Sequence, residues 1–198
     1  MEKVRRKLGR SFYAKPTLDV AKGLLGKYIV RKAGKKELAG KIVEVEAYVG
    51  AKDRASHSFG GKRTPRNQAE YLTGGHIYIY LVYGMYWQLN ISTFQKEEPE
   101  CVLIRAIEPI IDGKPKRELI KLANGPGKLC RYLKLDKSFY AEDVTKSRKI
   151  WLEDRGEEIK PLQILATKRI GIDYAGPYWS NRKWRFLIKD YKSFLPKK

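Results

Sequence analysis

The sequence predicts an α+β fold: one compact domain over residues 1–198, with a curved, mainly antiparallel sheet and peripheral helices. Three observations carry this expectation. Segments rich in β-branched and aromatic residues follow one another with short polar or glycine-containing turns between them, the pattern of antiparallel neighbours. Segments with helical periodicity are scattered instead of alternating with the strands, which argues against a βαβ repeat. No internal repeat, low-complexity stretch or Ser/Gly linker divides the 198 residues, a usual length for one domain.

Pro16 is suited to open a helix over Thr17–Leu25, with Leu18, Ala21 and Leu25 on one face and Gly26 as a left-handed stop. Tyr28–Arg31 starts a strand, Gly34-Lys35-Lys36 turns the chain, and Lys41–Val49 returns. Side chains alternate along that return strand, so Val43, Val45 and Ala47 face one way and Glu44, Glu46 and Tyr48 the other. Residues 51–67, rich in Gly, Arg, Lys and Ser, are expected to be a loop. His76–Val82 and Tyr86–Ser92 form a strand pair that turns at Tyr83-Gly84, and Cys101–Ile107 is an apolar strand with one charge inside it, Arg105. Asn124-Gly125-Pro126-Gly127 separates helices over Glu118–Leu122 and Lys128–Leu133. Trp184–Ile188 is a last strand, ahead of a basic tail ending in Lys197-Lys198.

Charge narrows the class of partner. With 42 Lys+Arg against 22 Asp+Glu the net charge is +20, which favours a polyanion. Four Trp, 13 Tyr and 6 Phe supply rings that can stack on bases, and they exclude an intrinsically disordered chain. No apolar run approaches the roughly 18 residues of a membrane span, and the basic start Met1–Lys7 leads into no secretory core. The expectation is a protein of a reducing compartment, cytoplasm or nucleoid (nucleus in a eukaryote), neither secreted nor membrane-bound. Two Cys and two His offer neither a disulfide framework nor a metal cluster, and no phosphate-cradling, dinucleotide or zinc-deaminase signature occurs. No cofactor and no metal are expected.

Glu44 and Glu46 stand two apart on one strand face, beside Tyr48 and just ahead of the basic loop. Such a pair is ordinarily solvated. In a basic chain that binds a polyanion it repels the ligand, and chemistry at a sugar anomeric carbon is a reason to keep it: a carboxylate can deprotonate water and steady positive charge on the ring. Arg105, a cation within an apolar strand, needs a partner; it is either a structural salt bridge or the mate of Glu46 across the sheet. Tyr78, Tyr80, Tyr83 and Tyr86 are either packed core or, for Tyr83 at the turn Tyr83-Gly84-Met85, a wedge for a base stack.

In order along the chain, Ile42-Val43-Glu44-Val45-Glu46-Ala47-Tyr48, Ala55-Ser56-His57-Ser58, Thr64-Pro65-Arg66-Asn67, Tyr78-Ile79-Tyr80-Leu81-Val82-Tyr83-Gly84-Met85-Tyr86, Asn90-Ile91-Ser92, Val102-Leu103-Ile104-Arg105-Ala106, Gly125-Pro126-Gly127-Lys128-Leu129 and Arg169-Ile170-Gly171-Ile172 resemble the alkyladenine (3-methyladenine) DNA glycosylase family. The resemblance implies a monofunctional, monomeric base-excision enzyme that flips a damaged purine (3-methyladenine, 7-methylguanine, hypoxanthine or ethenoadenine) out of double-stranded DNA and hydrolyses its N-glycosidic bond. It makes Glu46 the general base and Arg105 its partner in holding the attacking water, with a backbone carbonyl near Ile170-Gly171-Ile172. Tyr48 becomes one wall of the base pocket, His57 and Tyr80 the opposite wall, and Asn90 the residue that crowds a purine 2-amino group. Tyr83 and Met85 are implied to intercalate, while Arg54, Lys62, Arg63 and Arg66, with Lys52, are expected on the DNA backbone. One departure stands out: Lys183 precedes Trp184-Arg185-Phe186, where members of the family often carry Pro. A non-catalytic nucleic-acid-binding module shares the charge and the tyrosines, but it does not need Glu46 and Arg105 on neighbouring strands.

Overall fold

A computed structural model describes residues 5–111, 113 and 115–195. The elements, in order, are β1 (Arg6–Lys7), α1 (Arg10–Tyr13), α2 (Thr17–Leu24), β2 (Tyr28–Ala33), β3 (Lys36–Val49), β4 (Ile77–Val82), β5 (Tyr86–Thr93), β6 (Glu100–Pro109), α3 (Lys116–Leu122), α4 (Pro126–Leu133), β7 (Ile150–Asp154), β8 (Ile164–Thr167), α5 (Pro177–Ser180) and β9 (Arg185–Ile188). The chain is α+β, as the order of its segments predicts, and every strand pairing is antiparallel. The sheet runs β1-β7-β2-β3-β6-β5-β4, with β9 joined to both β3 and β8. The expected starting segment Met1–Val4 and the tail Lys197-Lys198 lie outside the described residues.

β3 organises the molecule. Along one edge it pairs with β6 over nearly its whole length; along the other, its first half pairs with β2 and Glu44–Glu46 pair with β9. The β3–β6 register is irregular around Glu44, where Ile42 faces Ile107, Glu44 faces Ala106 and Val45 faces Ile104, so Arg105 has no direct partner. Val43, Val45 and Ala47 enter the main core, onto which α2 packs from one side of β3 and α4 from β5 and β6. The opposite face is also buried. The reading of Glu44 and Glu46 as solvated carboxylates is therefore wrong: they are 2% and 0% exposed, beneath the 50–72 segment and the 169–185 segment.

The expected elements are present with shifted limits: β2 extends to Ala33, β3 begins at Lys36 and α3 at Lys116, while α2 ends at Leu24 and β9 begins at Arg185. The second helix begins two residues earlier than expected: Pro126 occupies the first turn of α4, where its missing N–H costs nothing. His76, expected within a strand, makes only an isolated bridge to Asp143. β1, α1, β7, β8 and α5 are short pieces that periodicity does not reveal. Among the described residues no helix is long and apolar enough to cross a membrane, and no group of three or more His, Cys, Asp or Glu could hold a metal ion.

Candidate active site

The buried face of β3 forms the floor of a pocket of about 350 Å³. Three donors converge on Glu46. Oε1 accepts from the Ile170 backbone N–H at 2.8 Å and lies 3.3 Å from Arg105 Nη1; Oε2 accepts from the Tyr48 hydroxyl at 2.9 Å. A carboxylate offers about four lone-pair sites, so these donors leave room for about one more. Arg105 reaches both carboxylates, because its Nε also donates to Glu44 Oε1 at 3.0 Å. The same Glu44 oxygen accepts from Arg185 Nε, so two guanidinium groups hold Glu44 and one holds Glu46. Glu44, Tyr48, Arg105 and Ile170 line the pocket, and Glu46 sits behind the side chains and amide that bind it.

Behind Tyr48 lies a second, dry ion pair. Arg169 and Asp53 have no exposed side-chain surface, and Arg169 donates through both Nη atoms to the Asp53 carboxylate and through Nη1 to the Ala47 carbonyl at 3.0 Å. Its guanidinium covers the Tyr48 ring at 4.7 Å and the Trp184 ring at 5.1 Å. One residue therefore ties the 50–55 turn, the end of β3 and the loop whose next amide, that of Ile170, holds Glu46.

Across the pocket, His57 and Tyr80 meet edge to face, with ring centroids 4.7 Å apart and planes at 75°. They line the pocket together with Tyr48, and they do not present one continuous flat wall. The His57 Nδ1 and the Tyr78 hydroxyl are 2.6 Å apart. Burial, then the charges of Arg66 and Lys62, lowers the His57 pKa to about 4, so the imidazole is neutral at pH 7 although part of it is open to the pocket. Burial pushes the hydroxyls of Tyr48, Tyr78 and Tyr80 well above their ordinary range, with the negative charge of Glu46 adding to the effect at Tyr48. Asn90 is buried in the wall, its amide donating to the carbonyls of Tyr78 at 3.1 Å and Gln88 at 3.3 Å.

The mouth of the pocket is built differently. Val82 and Met85 close a tight turn through an N–H···O bond of 3.1 Å, and both Tyr83 (φ 52°) and Gly84 (φ 67°) are left-handed. That backbone favours Asn-Gly, so a tyrosine there is strained. Tyr83 is 86% and Met85 66% exposed, which sets Tyr83 apart from the buried Tyr78. Lys52, Arg54, Lys62, Arg63 and Arg66 are all on the surface. Arg54 stacks on Phe59, Arg66 on Tyr80, and Arg63 on Tyr71 while pairing with Glu97 at 2.6 Å.

Sequence reasoning assigned no role to Asp53, Arg169, Arg185, Tyr78, Glu70 or Cys101, all of which build the site or line it. Tyr78 shares the period-2 face of Tyr80, and Arg185, like Arg105, is a cation in an apolar strand; both signals were readable. The Asp53–Arg169 pair spans 116 residues, and nothing local announces it.

Residues 11–192 match the model of the family described as methylpurine-DNA glycosylase. Similar proteins include one of Clostridium novyi, 46% identical over 94% of this chain and 97% of the relative. Another, from Borrelia garinii, is 43% identical over 93% and 97%, and one from Clostridioides difficile is 40% identical over 91% and 99%. Each carries the provisional name 3-methyladenine DNA glycosylase. A match over nearly the whole chain, joined to a pocket of carboxylates, guanidinium groups and aromatic rings, places this protein in the methylpurine-DNA glycosylase family of base-excision enzymes that act on alkylated purines.

Proposed function

We propose that this chain, acting as a monomer, flips alkylated purines such as 3-methyladenine and 7-methylguanine out of duplex DNA and hydrolyses their N-glycosidic bond with water activated by Glu46. The observation that carries the reading is the convergence of Tyr48, Arg105 and Ile170 on one buried carboxylate with a lone-pair site to spare. A water on that site lies beside the aromatic wall of Tyr48, and its oxygen adds to the anomeric carbon as the base departs. Glu46 takes the water's proton, and the carboxylate charge opposes the positive charge that develops on the sugar ring. A base methylated at N3 or N7 is cationic while still attached, so it leaves neutral and needs no acid; one catalytic carboxylate then suffices where O-glycosidases use two. The rings of Tyr48, His57 and Tyr80 favour such electron-poor bases, and Tyr83 fills the space that the flipped nucleotide vacates.

A second assignment has an observation of its own: of the two β3 carboxylates, Glu44 and not Glu46 lines the pocket. Its two guanidinium partners suit a fixed counter-ion, whereas Glu46 is held mainly by neutral donors. Release of free base from a methylated duplex, followed in single turnover for Glu46→Gln and Glu44→Gln, separates the two. Glu46→Gln is expected to lose about 10²–10⁴-fold in rate with DNA binding retained, and Glu44→Gln far less. The reverse order gives the base role to Glu44; full activity in both, or no base release by the unsubstituted chain, refutes hydrolysis of this kind.

A further inference from the structure

One group in the pocket has no part in that mechanism. Glu70, on the turn Gln68–Tyr71, is 1% exposed and lines the pocket beside Tyr78, Asn90 and Cys101. Its Oε1 accepts from the Cys101 thiol at 3.3 Å, and its Oε2 has no hydrogen-bond partner among the described residues. No cation is among the groups that act on it. An unpaired carboxylate in such a place is expensive, and the group avoids the cost by keeping its proton. Its oxygens then divide the work: Oε1 accepts, and Oε2, which has no partner among the described residues, carries the hydrogen.

We propose that Glu70 is the proton donor for uncharged bases, passing the hydrogen of its neutral carboxyl group to a ring nitrogen of the purine as the glycosidic bond breaks. This rests on the hydrolytic reading above and supplies what that reading lacks. A cationic methylated base leaves unaided, whereas a neutral purine such as hypoxanthine leaves as an anion unless it is protonated. The C1′–N9 bond breaks with its electron pair going to the base; the Glu70 O–H bond breaks and its proton joins a ring nitrogen, which cancels that charge. The water oxygen bonds to C1′ and gives its proton to Glu46. Glu70 is left a carboxylate and Glu46 an acid, and the proton balance is restored through solvent once the base has gone.

Tyr48, His57, Tyr78, Tyr80 and Cys101, which also line the pocket, suit this role poorly. Tyr48, Tyr78 and Tyr80 hold their protons too tightly, as does the buried Cys101, and His57 has no proton to spare at pH 7. Burial, outweighing the Cys101 hydrogen bond and the nearby Asn67 amide, raises the Glu70 pKa to about 8, close to the working range of a general acid. The titratable groups facing it are Tyr71 on its own turn, Tyr78 and Tyr80 on β4, Cys101 on β6 and Tyr140. All five have raised pKa values, so none of them changes charge near pH 8.

The test is single-turnover release of hypoxanthine and of 7-methylguanine from otherwise identical duplexes, for the full chain, Glu70→Gln and Glu70→Leu, as a function of pH. For the unsubstituted chain, hypoxanthine release should fall above about pH 8, and 7-methylguanine release should not share that alkaline limb. In both variants the ratio of the hypoxanthine rate to the 7-methylguanine rate should drop by about 10²-fold or more, with the alkaline limb gone. Glu70→Gln keeps the shape and neutrality of the group, so it stands if Glu70→Leu fails to fold. An unchanged ratio overturns the proposal, whether both rates survive or both fall together. So does an unsubstituted chain that releases 7-methylguanine but not hypoxanthine, an outcome that leaves the hydrolytic reading intact; release of neither base refutes that reading as well.

Discussion

At Glu46 a fully buried carboxylate is held by donors from β3, β6 and the 169–172 loop, while at Tyr83 an 86% exposed ring stands on a strained turn with its side chain in solvent. The two regions share a strand sheet and one pocket, yet they solve opposite problems. The first, as the proposed water-activating group, has to be held to within a fraction of an ångström, and several donors acting together do that. The second, as the proposed wedge, has to enter a stacked duplex, which calls for an exposed apolar ring on a rigid hairpin at the expense of local strain. Stability and function should therefore separate at the tip and coincide in the floor.

The sharpest way to break the contrast is at the buried Asp53–Arg169 pair. Asp53→Asn leaves a buried guanidinium without its counter-charge, a loss of about 3–5 kcal/mol of stability. Because Arg169 precedes Ile170, the same change should lower excision of cationic and neutral bases alike. Chemical denaturation alongside base release checks both, and a stable, active Asp53→Asn protein removes the pair from the positioning of Glu46.

Glu70 gives the pocket a pH dependence of its own. Folding raises its pKa from 4.5 to about 8, so the native state keeps a proton that the unfolded chain releases. Its contribution is complete below the unfolded pKa and is lost as pH rises towards 8, by about 1.4 kcal/mol per pH unit at most. His57 acts in the other direction: its pKa falls to about 4, so its share of stability is present above the unfolded value of 6.5 and is lost as pH falls through 4. Melting temperatures of the full chain should thus decline between neutral and mildly alkaline pH, and Glu70→Gln should flatten that side. Parallel curves for the two proteins would show that Glu70 does not titrate there.

How much of this was legible beforehand differs between the same two regions. The floor strand could be read because Glu44, Glu46 and Tyr48 alternate against Val43, Val45 and Ala47, and the hairpin because Tyr83-Gly84-Met85 interrupts two β-forming runs. The order of strands, the pairing of β3 with β9 and the burial of both β3 faces depend on contacts between distant segments. Glu70 looked like any charged residue of a turn; only the closure of β4, β6 and the 65–71 segment around it makes it a buried acid.

At the tip, Tyr83→Asn restores the residue pair that the turn prefers, and it should raise stability by about 1 kcal/mol while impairing excision from duplex. A variant that loses both stability and activity would mean that the ring packs as core. The smallest effects belong to the cationic rim. Single substitutions of Arg54, Lys62, Arg63 or Arg66 should weaken DNA binding irrespective of sequence and make the salt slope shallower by about 0.9 for each phosphate no longer neutralised. Arg63 should matter least, since it must first leave Glu97. Affinity that is flat from low to physiological salt would show that the rim does not touch phosphates.

The division between floor and tip is tested most directly by single-turnover release of 7-methylguanine from matched duplex and single-stranded DNA, by Glu46→Gln and Tyr83→Ala side by side. Glu46→Gln should lose the same factor, about 10²–10⁴, on both substrates, because the chemistry is unchanged by the second strand. Tyr83→Ala should lose activity on duplex and little on single strands, which have no stack to fill. Equal loss on both substrates for Tyr83→Ala, or an undiminished rate for Glu46→Gln, would contradict it.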